Sequence, residues 1–288
     1  MSDFDSRPIG VFDSGIGGLT VLRELLTAFP HEKFIYLGDT ARLPYGSKSG
    51  NTVRKYSEQN LKFLISRNVK AIVVACNTAS TQINESAFQG VPVYNVIDPG
   101  SILASQKTKN NNVAILATRA TVKANSYENK IKQINPKINV LSVACPLFVS
   151  LAEEGWHDDV ITEQIAERYL SELKNKNIDT VVLACTHYPL LKKPIQKVLG
   201  ENVNLIDSGV AISLILKNDF SQKKAKPTDK ISPPAELLIC LTDAGTQFET
   251  LSTQLLKDYK VKSSLKPFRL FSYPLHNRFV SSNERIYF

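Results

Sequence analysis

The sequence predicts an α/β protein of two similar domains, each built on a parallel β-sheet. Short apolar segments rich in β-branched residues alternate with amphipathic segments along the 288 residues, a pattern typical of parallel strands covered by helices. The segments AIVVACNTAS and TVVLACTHYP also resemble each other, and one lies in each half of the chain. Such a repeat indicates a duplicated fold, and a chain of this length can give each of two domains its own core.

The secondary structure is assigned from apolar runs and from helical periodicity, in chain order. Strands are predicted at Ile9–Phe12, Phe34–Leu37, Ile72–Ala75, Val93–Val96, Val113–Ala117, Val140–Val143, Val181–Ala184, Val203–Ile206, Leu237–Leu241 and Phe268–Phe271. The amphipathic segments between these runs are predicted to be helices, for example Thr52–Ser66, Val160–Lys174 and Thr246–Tyr259.

Turn-forming residues mark two points where the chain is expected to cross between the domains. They are Asp98-Pro99-Gly100 and Asp207-Ser208-Gly209. The first domain is predicted to comprise residues 1–98 and 209–288, and the second to comprise residues 99–208. With this division the two similar segments fall in different domains and can face each other across a cleft.

The net charge of +8 raises the question of a nucleic-acid partner. The lysines are spread along the chain, and the densest cluster, Lys223, Lys224 and Lys226, lies in the polar segment Asn218–Pro234. That segment is rich in Lys, Ser and Pro and is predicted to be a long surface loop. Aromatic residues do not alternate with these lysines as they do on a base-stacking surface. No nucleic-acid partner is expected, although the charge can attract an anionic substrate.

The sequence also predicts a cytoplasmic protein. The first residues, MSDFDSRPIG, have neither the basic region nor the apolar core of a signal peptide, and no apolar run approaches the roughly 20 residues needed to cross a bilayer. The four cysteines show no CxxC pair, which indicates a reducing compartment.

Cys76 and Cys185 each end a predicted buried strand at the turn into a helix. Ligands bind beyond the carboxyl ends of strands in open α/β sheets. A lone cysteine is usually buried and inert, as expected for Cys145 and Cys240, but a thiol at a helix start beside hydrogen-bonding side chains favours a thiolate. Two thiols on opposite walls of a cleft suit a reaction that needs an acid and a base of matched strength, such as the inversion of a carbon centre.

Two polar turns follow the first two predicted strands. Asp13 and Ser14 begin a glycine-rich turn, where helix N–H groups can bind an anion or the two side chains can simply cap the helix. Tyr45 and Gly46 lie in a Pro-Tyr-Gly sequence, which in isolation is as consistent with a tight turn as with a binding loop.

Three further polar residues have both structural and functional interpretations. His187, two residues beyond the second cysteine, can handle protons beside a thiol or begin a helix. Glu153 by itself is typical of a helix-end acid, and Thr118 is typical of a helix cap.

Six motifs together give the chain a family resemblance. They are DSGIGG at 13–18, GDTARLPYG at 38–46, ACNTAS at 75–80, ATRAT at 117–121, CPLFVSLAEEG at 145–155 and ACTHYPLL at 184–191. In this order and spacing, the chain from residue 8 to about residue 210 resembles the cofactor-independent aspartate/glutamate racemase superfamily, and within it the glutamate racemases. Departures are small: Ala117 stands where Gly is usual, Ala152 where Val is usual, and Thr242-Asp243-Ala244-Gly245 is only a weak version of a late family turn.

The resemblance implies two α/β domains related by a pseudo-two-fold axis, with the active site in the cleft between them. It implies that Cys76 and Cys185 are the catalytic acid and base, that Asp13 supports the first, and that Glu153 and His187 support the second. The substrate-binding residues that it implies are Asp13, Ser14, Tyr45, Gly46, Asn77, Thr78, Thr118, Thr186 and His187.

The implied reaction interconverts L- and D-glutamate, which family members supply for bacterial peptidoglycan. No cofactor and no metal is expected, because the sequence contains no phosphate cradle, pyridoxal-phosphate site or cluster of metal ligands. Alternatives are an aspartate racemase, a thiol hydrolase that uses one cysteine with a histidine, and a non-enzymatic amino-acid-binding protein. The sequence leaves the oligomeric state open, a homodimer included.

Overall fold

The computed structural model describes residues 5–223, 236–243, 246–257 and 262–267. The strands are β1 Ile9–Asp13, β2 Phe34–Gly38, β3 Ala71–Val74, β4 Ala87–Phe88, β5 Val91–Asn95, β6 Asn112–Ala117, β7 Asn139–Ala144, β8 Thr180–Ala184, β9 Asn204–Asp207, β10 Glu236–Leu241 and β11 Lys262–Pro267. The α-helices are α1 Gly18–Ala28, α2 Gly50–Ser66, α3 Asn77–Ser80, α4 Ile97–Lys107, α5 Arg119–Ala124, α6 Ser126–Ile134, α7 Leu147–Glu153, α8 Val160–Leu170, α9 Lys192–Leu199, α10 Ser208–Lys223 and α11 Thr246–Leu256. Short 3₁₀ turns span Thr40–Arg42, Tyr45–Ser47, Ser171–Leu173 and Tyr188–Leu191.

The described strands form two sheets, as the repeated segments predicted. The larger sheet has the order β11-β10-β2-β1-β3-β5-β4, and the smaller has the order β7-β6-β8-β9. Every pairing is parallel except that of β4 with β5. The predicted fold class, two parallel-sheet α/β domains, is therefore confirmed.

Helices cover both faces of each sheet, so the strands are buried on both sides. Along β2, Phe34 and Tyr36 pack in a core with α1, α10 and α11, whereas Ile35 and Leu37 pack in the opposite core with α2. The smaller sheet is covered by α7, α8 and α9 on one face and by α4 and α6 on the other. This packing leaves the carboxyl ends of the parallel strands as the edges at which polar side chains can gather.

The larger sheet draws its strands from residues before 98 and after 209, and β6 to β9 lie between these positions. Asp98 lies in the first turn of α4 and Gly209 in the first turn of α10. The chain therefore crosses between the sheets at helix starts. The limits 1–98 plus 209–288 and 99–208 remain our proposal for the domains.

Some element limits differ from the prediction. Residues 218–223 of the predicted loop Asn218–Pro234 are helical, because α10 continues to Lys223. Phe220, near the end of that helix, packs on Phe29 at 5.7 Å between ring centroids and also on Tyr94. The rest of that segment and the predicted strand Phe268–Phe271 lie outside the described residues.

Two helix ends also differ. The prediction Val160–Lys174 ran past Leu170, where α8 gives way to a 3₁₀ turn. The helix predicted at Thr52 begins at Gly50, because Ser49 caps it by accepting a hydrogen bond from the Thr52 N–H. Within the described ranges, none of the helices is both long enough and apolar enough to cross a membrane.

Candidate active site

A small cavity lies where the carboxyl ends of strands from the two sheets meet. It is lined by Ser14, Pro44, Tyr45, Gly46, Cys76, Asn77, Thr78, Thr118, Val149, Cys185, Thr186 and His187. Every residue in the predicted substrate-binding set lines this cavity except Asp13. Both predicted catalytic thiols open onto it.

Cys76 occupies the N-cap of α3, just beyond β3. Its Sγ accepts a hydrogen bond from the Ala79 N–H at 3.4 Å and donates one to Ser14 Oγ at 3.7 Å. Burial raises the pKa of the Cys76 thiol well above its usual value, and the negative charge of Asp13 adds to the effect. In the unliganded protein Cys76 is therefore a neutral thiol, ready to donate a proton.

Cys185 directly follows β8 and has different neighbours. Its Sγ is 3.7 Å from His187 Nδ1, and His187 Nε2 is 3.0 Å from Glu153 Oε1. Burial alone would lower the pKa of His187, but the hydrogen bonds to Cys185 and Glu153 and the charges of those groups outweigh burial and raise it to about 10. His187 thus places a cationic side chain beside the Cys185 sulfur.

Asp13 lies behind the cavity rather than in its wall. Its carboxylate is fully buried and accepts the N–H groups of Gly15 at 2.9 Å and Gly18 at 3.0 Å and the Thr186 hydroxyl at 3.2 Å. Burial raises the pKa of Asp13, although His187 and these hydrogen bonds oppose the shift. Asp13 therefore reaches the cavity through its neighbours Ser14 and Thr186. Glu153 likewise does not line the cavity and reaches it through His187.

Three threonine hydroxyls form a triangle between the two domains. Thr78 Oγ1 is 3.0 Å from both Thr118 Oγ1 and Thr121 Oγ1, and the last two are 3.1 Å apart. Thr118 caps α5 by accepting the Thr121 N–H. Sequence reasoning missed Thr121, although its place three residues after a capping threonine puts it on the same face of the helix.

The Tyr45 loop is held from behind by a buried ion pair. The Tyr45 hydroxyl donates a hydrogen bond to Asp39 and accepts one from Asn60 Nδ2 at 3.1 Å, and Arg42 pairs with the same carboxylate at 2.7 Å. The hydroxyl of Tyr45 thus faces away from the cavity, and Gly46 of the same loop forms part of the cavity wall. Sequence reasoning did not single out Asp39, Arg42 or Asn60; the first two lie in the same short segment as Tyr45, and Asn60 comes from α2.

Two glycines allow the domains to approach closely at the cavity. A Cβ on Gly17 would lie 2.4 Å from Thr186 Oγ1 and 2.6 Å from His187 Nδ1, and one on Gly46 would lie 2.6 Å from Thr118 Cβ. Only residues without a side chain fit at these two points. The structure therefore shows a closed cleft.

The arrangement supplies acid and base groups together with hydrogen-bond donors and acceptors. In the described part of the chain, no group of three or more His, Cys, Asp or Glu side chains is placed to hold a metal ion. The other two thiols lie elsewhere, Cys145 in the core of the smaller sheet and Cys240 in that of the larger sheet. The site can thus transfer protons to and from a small polar molecule held between two thiols.

Comparisons with known proteins agree with this geometry. Residues 9–213 match the model of the Asp/Glu/hydantoin racemase family. Over 204 residues, 70% of this chain and 76% of the relative, the sequence is 50% identical to the glutamate racemase of Geobacter metallireducens. The crystal structure of glutamate racemase from Francisella tularensis in complex with D-glutamate superposes with a TM-score of 0.83 and 40% identity, over 94% of this chain and 100% of that one. The Escherichia coli glutamate racemase in complex with L-glutamate and the activator UDP-MurNAc-ala has a TM-score of 0.74 and 29% identity, over 92% and 100% of the two chains.

Proposed function

The chain belongs to the Asp/Glu/hydantoin racemase family, and we propose that it is a glutamate racemase, which interconverts L- and D-glutamate with no cofactor. One observation carries the proposal: Cys76 and Cys185, at equivalent strand ends of the two sheets, line a single small cavity. A racemase needs one proton-transfer group on each face of the α-carbon, and one thiol from each sheet at the same cavity can meet that need.

The surroundings of the two thiols suggest their roles. We assign Cys185, which lies beside His187, as the first proton acceptor, and buried Cys76, whose pKa is raised, as the first proton donor. In one direction Cys185 accepts the α-proton, the electron pair stays on the substrate as an enediolate, and Cys76 delivers its proton to the opposite face. The reverse direction begins with the proton on Cys185 and the charge on Cys76.

The protein itself must stabilise the carbanion, because the α-proton of an amino acid is only weakly acidic. The hydroxyls of Ser14, Thr78, Thr118 and Thr186 line the cavity and can hold both carboxylates and the developing charge. The buried Asp13 carboxylate, one hydrogen bond behind Thr186, favours the positively charged α-ammonium group. A site closed to water strengthens each of these interactions.

Substrate must enter by separation of the domains. Gly17 and Gly46 already lie against the opposite domain, which leaves no wide channel beside them. Opening and closing of the cleft therefore accompany each turnover, as is common where a lid or domain excludes water.

We place the enzyme in the cytoplasm and in the supply of D-glutamate for bacterial peptidoglycan. None of the four cysteines, all of which are buried, forms a disulfide, which suits a reducing compartment. The similar Escherichia coli enzyme is bound to an activator that carries N-acetylmuramic acid, a sugar of peptidoglycan, which supports the cell-wall role. A homodimer remains a prediction.

A second candidate function follows from the alignment of Cys185, His187 and Glu153. A thiol, an imidazole and a carboxylate in hydrogen-bonding sequence are also the parts of a thiol hydrolase. That function would leave Cys76 without a role, although it lies in the same cavity. An aspartate racemase and an amino-acid-binding protein are the remaining alternatives.

One assay separates these functions. The purified protein is incubated with L-glutamate, and in parallel with L-aspartate, without added cofactor, and the circular dichroism of the amino acid is followed. A decay to zero with glutamate alone is the expected result. Decay only with aspartate would make the protein an aspartate racemase, and no decay with either would leave a hydrolase or a binding protein.

A further inference from the structure

The side-chain amide of Asn77 is hydrogen-bonded at its oxygen but, among the described residues, not at its nitrogen. It follows Cys76 at the start of α3, is 2% exposed and lines the cavity. Its Oδ1 accepts hydrogen bonds from Tyr127 Oη at 2.5 Å and from Ser208 Oγ at 3.3 Å. Its buried Nδ2 has no hydrogen-bond partner among the described residues.

A buried amide N–H without a partner carries the full cost of its desolvation, and native proteins rarely leave one unexplained. The Asn77 Nδ2 belongs to a cavity wall that also contains both thiols. A bound carboxylate of the substrate supplies the missing acceptor. Which end of the amide faces the substrate therefore decides whether Asn77 attracts that carboxylate or repels it.

The Tyr127 hydroxyl is placed to determine which end of the Asn77 amide faces the substrate. It lies on α6 of the smaller-sheet domain, whereas Asn77 belongs to the larger-sheet domain. Its side chain is 2% exposed, and burial raises the pKa of the phenol above its usual value, so the hydroxyl keeps the proton that it donates. The Tyr127 ring packs closely on Gly100, where a Cβ would lie only 3.1 Å from Tyr127 Cε1.

Ser208 cannot fix the amide by itself. Its Oγ lies 3.2 Å from the Leu183 carbonyl as well as 3.3 Å from Asn77 Oδ1, and a hydroxyl has one proton to donate. Tyr127 Oη also has the Val96 carbonyl at 3.4 Å and a side-chain hydrogen bond with Ser208, but its contact to Asn77 Oδ1, at 2.5 Å, is short. The shorter hydrogen bond makes Tyr127 the dominant partner of the amide oxygen.

We propose that Tyr127 is a positioning residue, whose hydroxyl holds Asn77 Oδ1 across the domain interface and so turns Nδ2 toward a carboxylate of the substrate. The proposal rests on the proposed racemase function of this cavity. Because the two residues belong to different domains, their hydrogen bond forms only when the cleft is closed. Closure therefore also fixes the orientation of the Asn77 amide, with Nδ2 toward the substrate.

The test is a double-mutant cycle on glutamate racemisation with Tyr127→Phe and Asn77→Ala. Tyr127→Phe removes one hydroxyl and is expected to lower kcat/KM about 10- to 100-fold, the range for hydrogen bonds to charged groups, while the protein stays folded by circular dichroism. In the Asn77→Ala background the same change is expected to alter kcat/KM less than about 2-fold, as for residues that act through each other. Full additivity of the two losses would overturn the proposal.

The matched control is Tyr94→Phe, which removes a hydroxyl that interacts with Asp219 away from the cavity, and it should leave kcat/KM unchanged.

Asn77→Asp keeps an oxygen for Tyr127 but replaces Nδ2 by an acceptor, so D-glutamate affinity measured by calorimetry should fall at least about 10-fold. Unchanged affinity would show that the N–H does not face the substrate and would overturn the proposal even if Tyr127→Phe failed to fold. If the wild type neither binds nor racemises glutamate, the proposed function falls and the positioning role falls with it. If the wild type is active but the losses in kcat/KM of the two single variants add in the double variant, the proposed function stands and only the positioning role falls.

Discussion

The Thr186 hydroxyl donates a 3.2 Å hydrogen bond to the buried carboxylate of Asp13. Thr186 follows β8 of the smaller sheet, and Asp13 ends β1 of the larger sheet. The Thr186 carbonyl in turn accepts the Thr20 hydroxyl at 2.9 Å. The two domains are thus joined directly behind the cavity, between the residue that follows Cys185 and the residue that precedes Ser14, a hydrogen-bond partner of Cys76.

Removal of either cavity thiol should abolish racemisation. In Cys76→Ala or Cys185→Ala one face of the α-carbon loses its proton-transfer group, so turnover should fall to background in both the L-to-D and the D-to-L directions. Circular dichroism of glutamate measures both directions. Substantial activity in Cys185→Ala would favour an enzyme with a single thiol.

The controls for this test are the remaining cysteines. Cys145→Ala and Cys240→Ala remove thiols that lie in the hydrophobic cores, so each is expected to lower the free energy of unfolding by about 1 kcal/mol with little change in turnover. Urea denaturation followed by fluorescence provides the stability values.

Glu153→Gln should lower kcat more than it raises KM and should shift the pH profile. The Glu153 carboxylate helps to raise the pKa of His187 to about 10, so its neutral replacement lowers that pKa. The imidazolium is then lost at a lower pH, and the alkaline fall in kcat/KM moves toward neutral pH. A kcat loss of up to about 10²–10⁴-fold is expected.

Asp13→Asn and His187→Gln, measured in the same way, are expected to lower kcat as well. A Glu153→Gln enzyme with the kcat and pH profile of the wild type would make Glu153 an ordinary residue at the end of α7.

Proton exchange with solvent should follow the two-thiol arrangement. In deuterated water the proton delivered to D-glutamate comes from a thiol that has equilibrated with solvent. Early D-glutamate should therefore carry deuterium at Cα, while the remaining L-glutamate keeps its hydrogen. Mass spectrometry and NMR of early samples measure this, and early product that retained its original α-hydrogen would exclude independent roles for Cys76 and Cys185.

Gly17→Ala should impair the closed cleft. The added Cβ would lie within 2.6 Å of both Thr186 Oγ1 and His187 Nδ1, so the domains must separate or His187 must turn away from Cys185. A misplacement near 1 Å costs about 10²-fold in rate, and a similar fall in kcat/KM is expected.

The matched control is Gly50→Ala, at the start of α2. There the new Cβ meets only the end of the flexible Gln82 side chain, at 2.8 Å, and activity should be unchanged. A Gly17→Ala enzyme with normal kcat/KM would show that the close approach of the domains is not needed for turnover.

The sequence by itself determined the α/β class, the doubled sheet and the pair of cysteines at equivalent strand ends. These features follow from local patterns: apolar runs predict buried strands, and a parallel strand places whatever follows it at the carboxyl edge of its sheet. Ser14, Thr118 and Thr186 were predicted at the cavity by the family resemblance of their motifs, not by this reasoning.

Tertiary structure alone decided how these groups differ. The resemblance had named Glu153 and His187 together, but only the structure gave their 3.0 Å contact, and it alone gave Asn77 its partner Tyr127 from the other domain. The Tyr45 hydroxyl points to Asp39 rather than to the cavity. Hydrogen-bond partners, desolvation and the resulting charge states depend on which segments pack together, and such contacts between remote parts of a chain leave no periodic signal in its sequence.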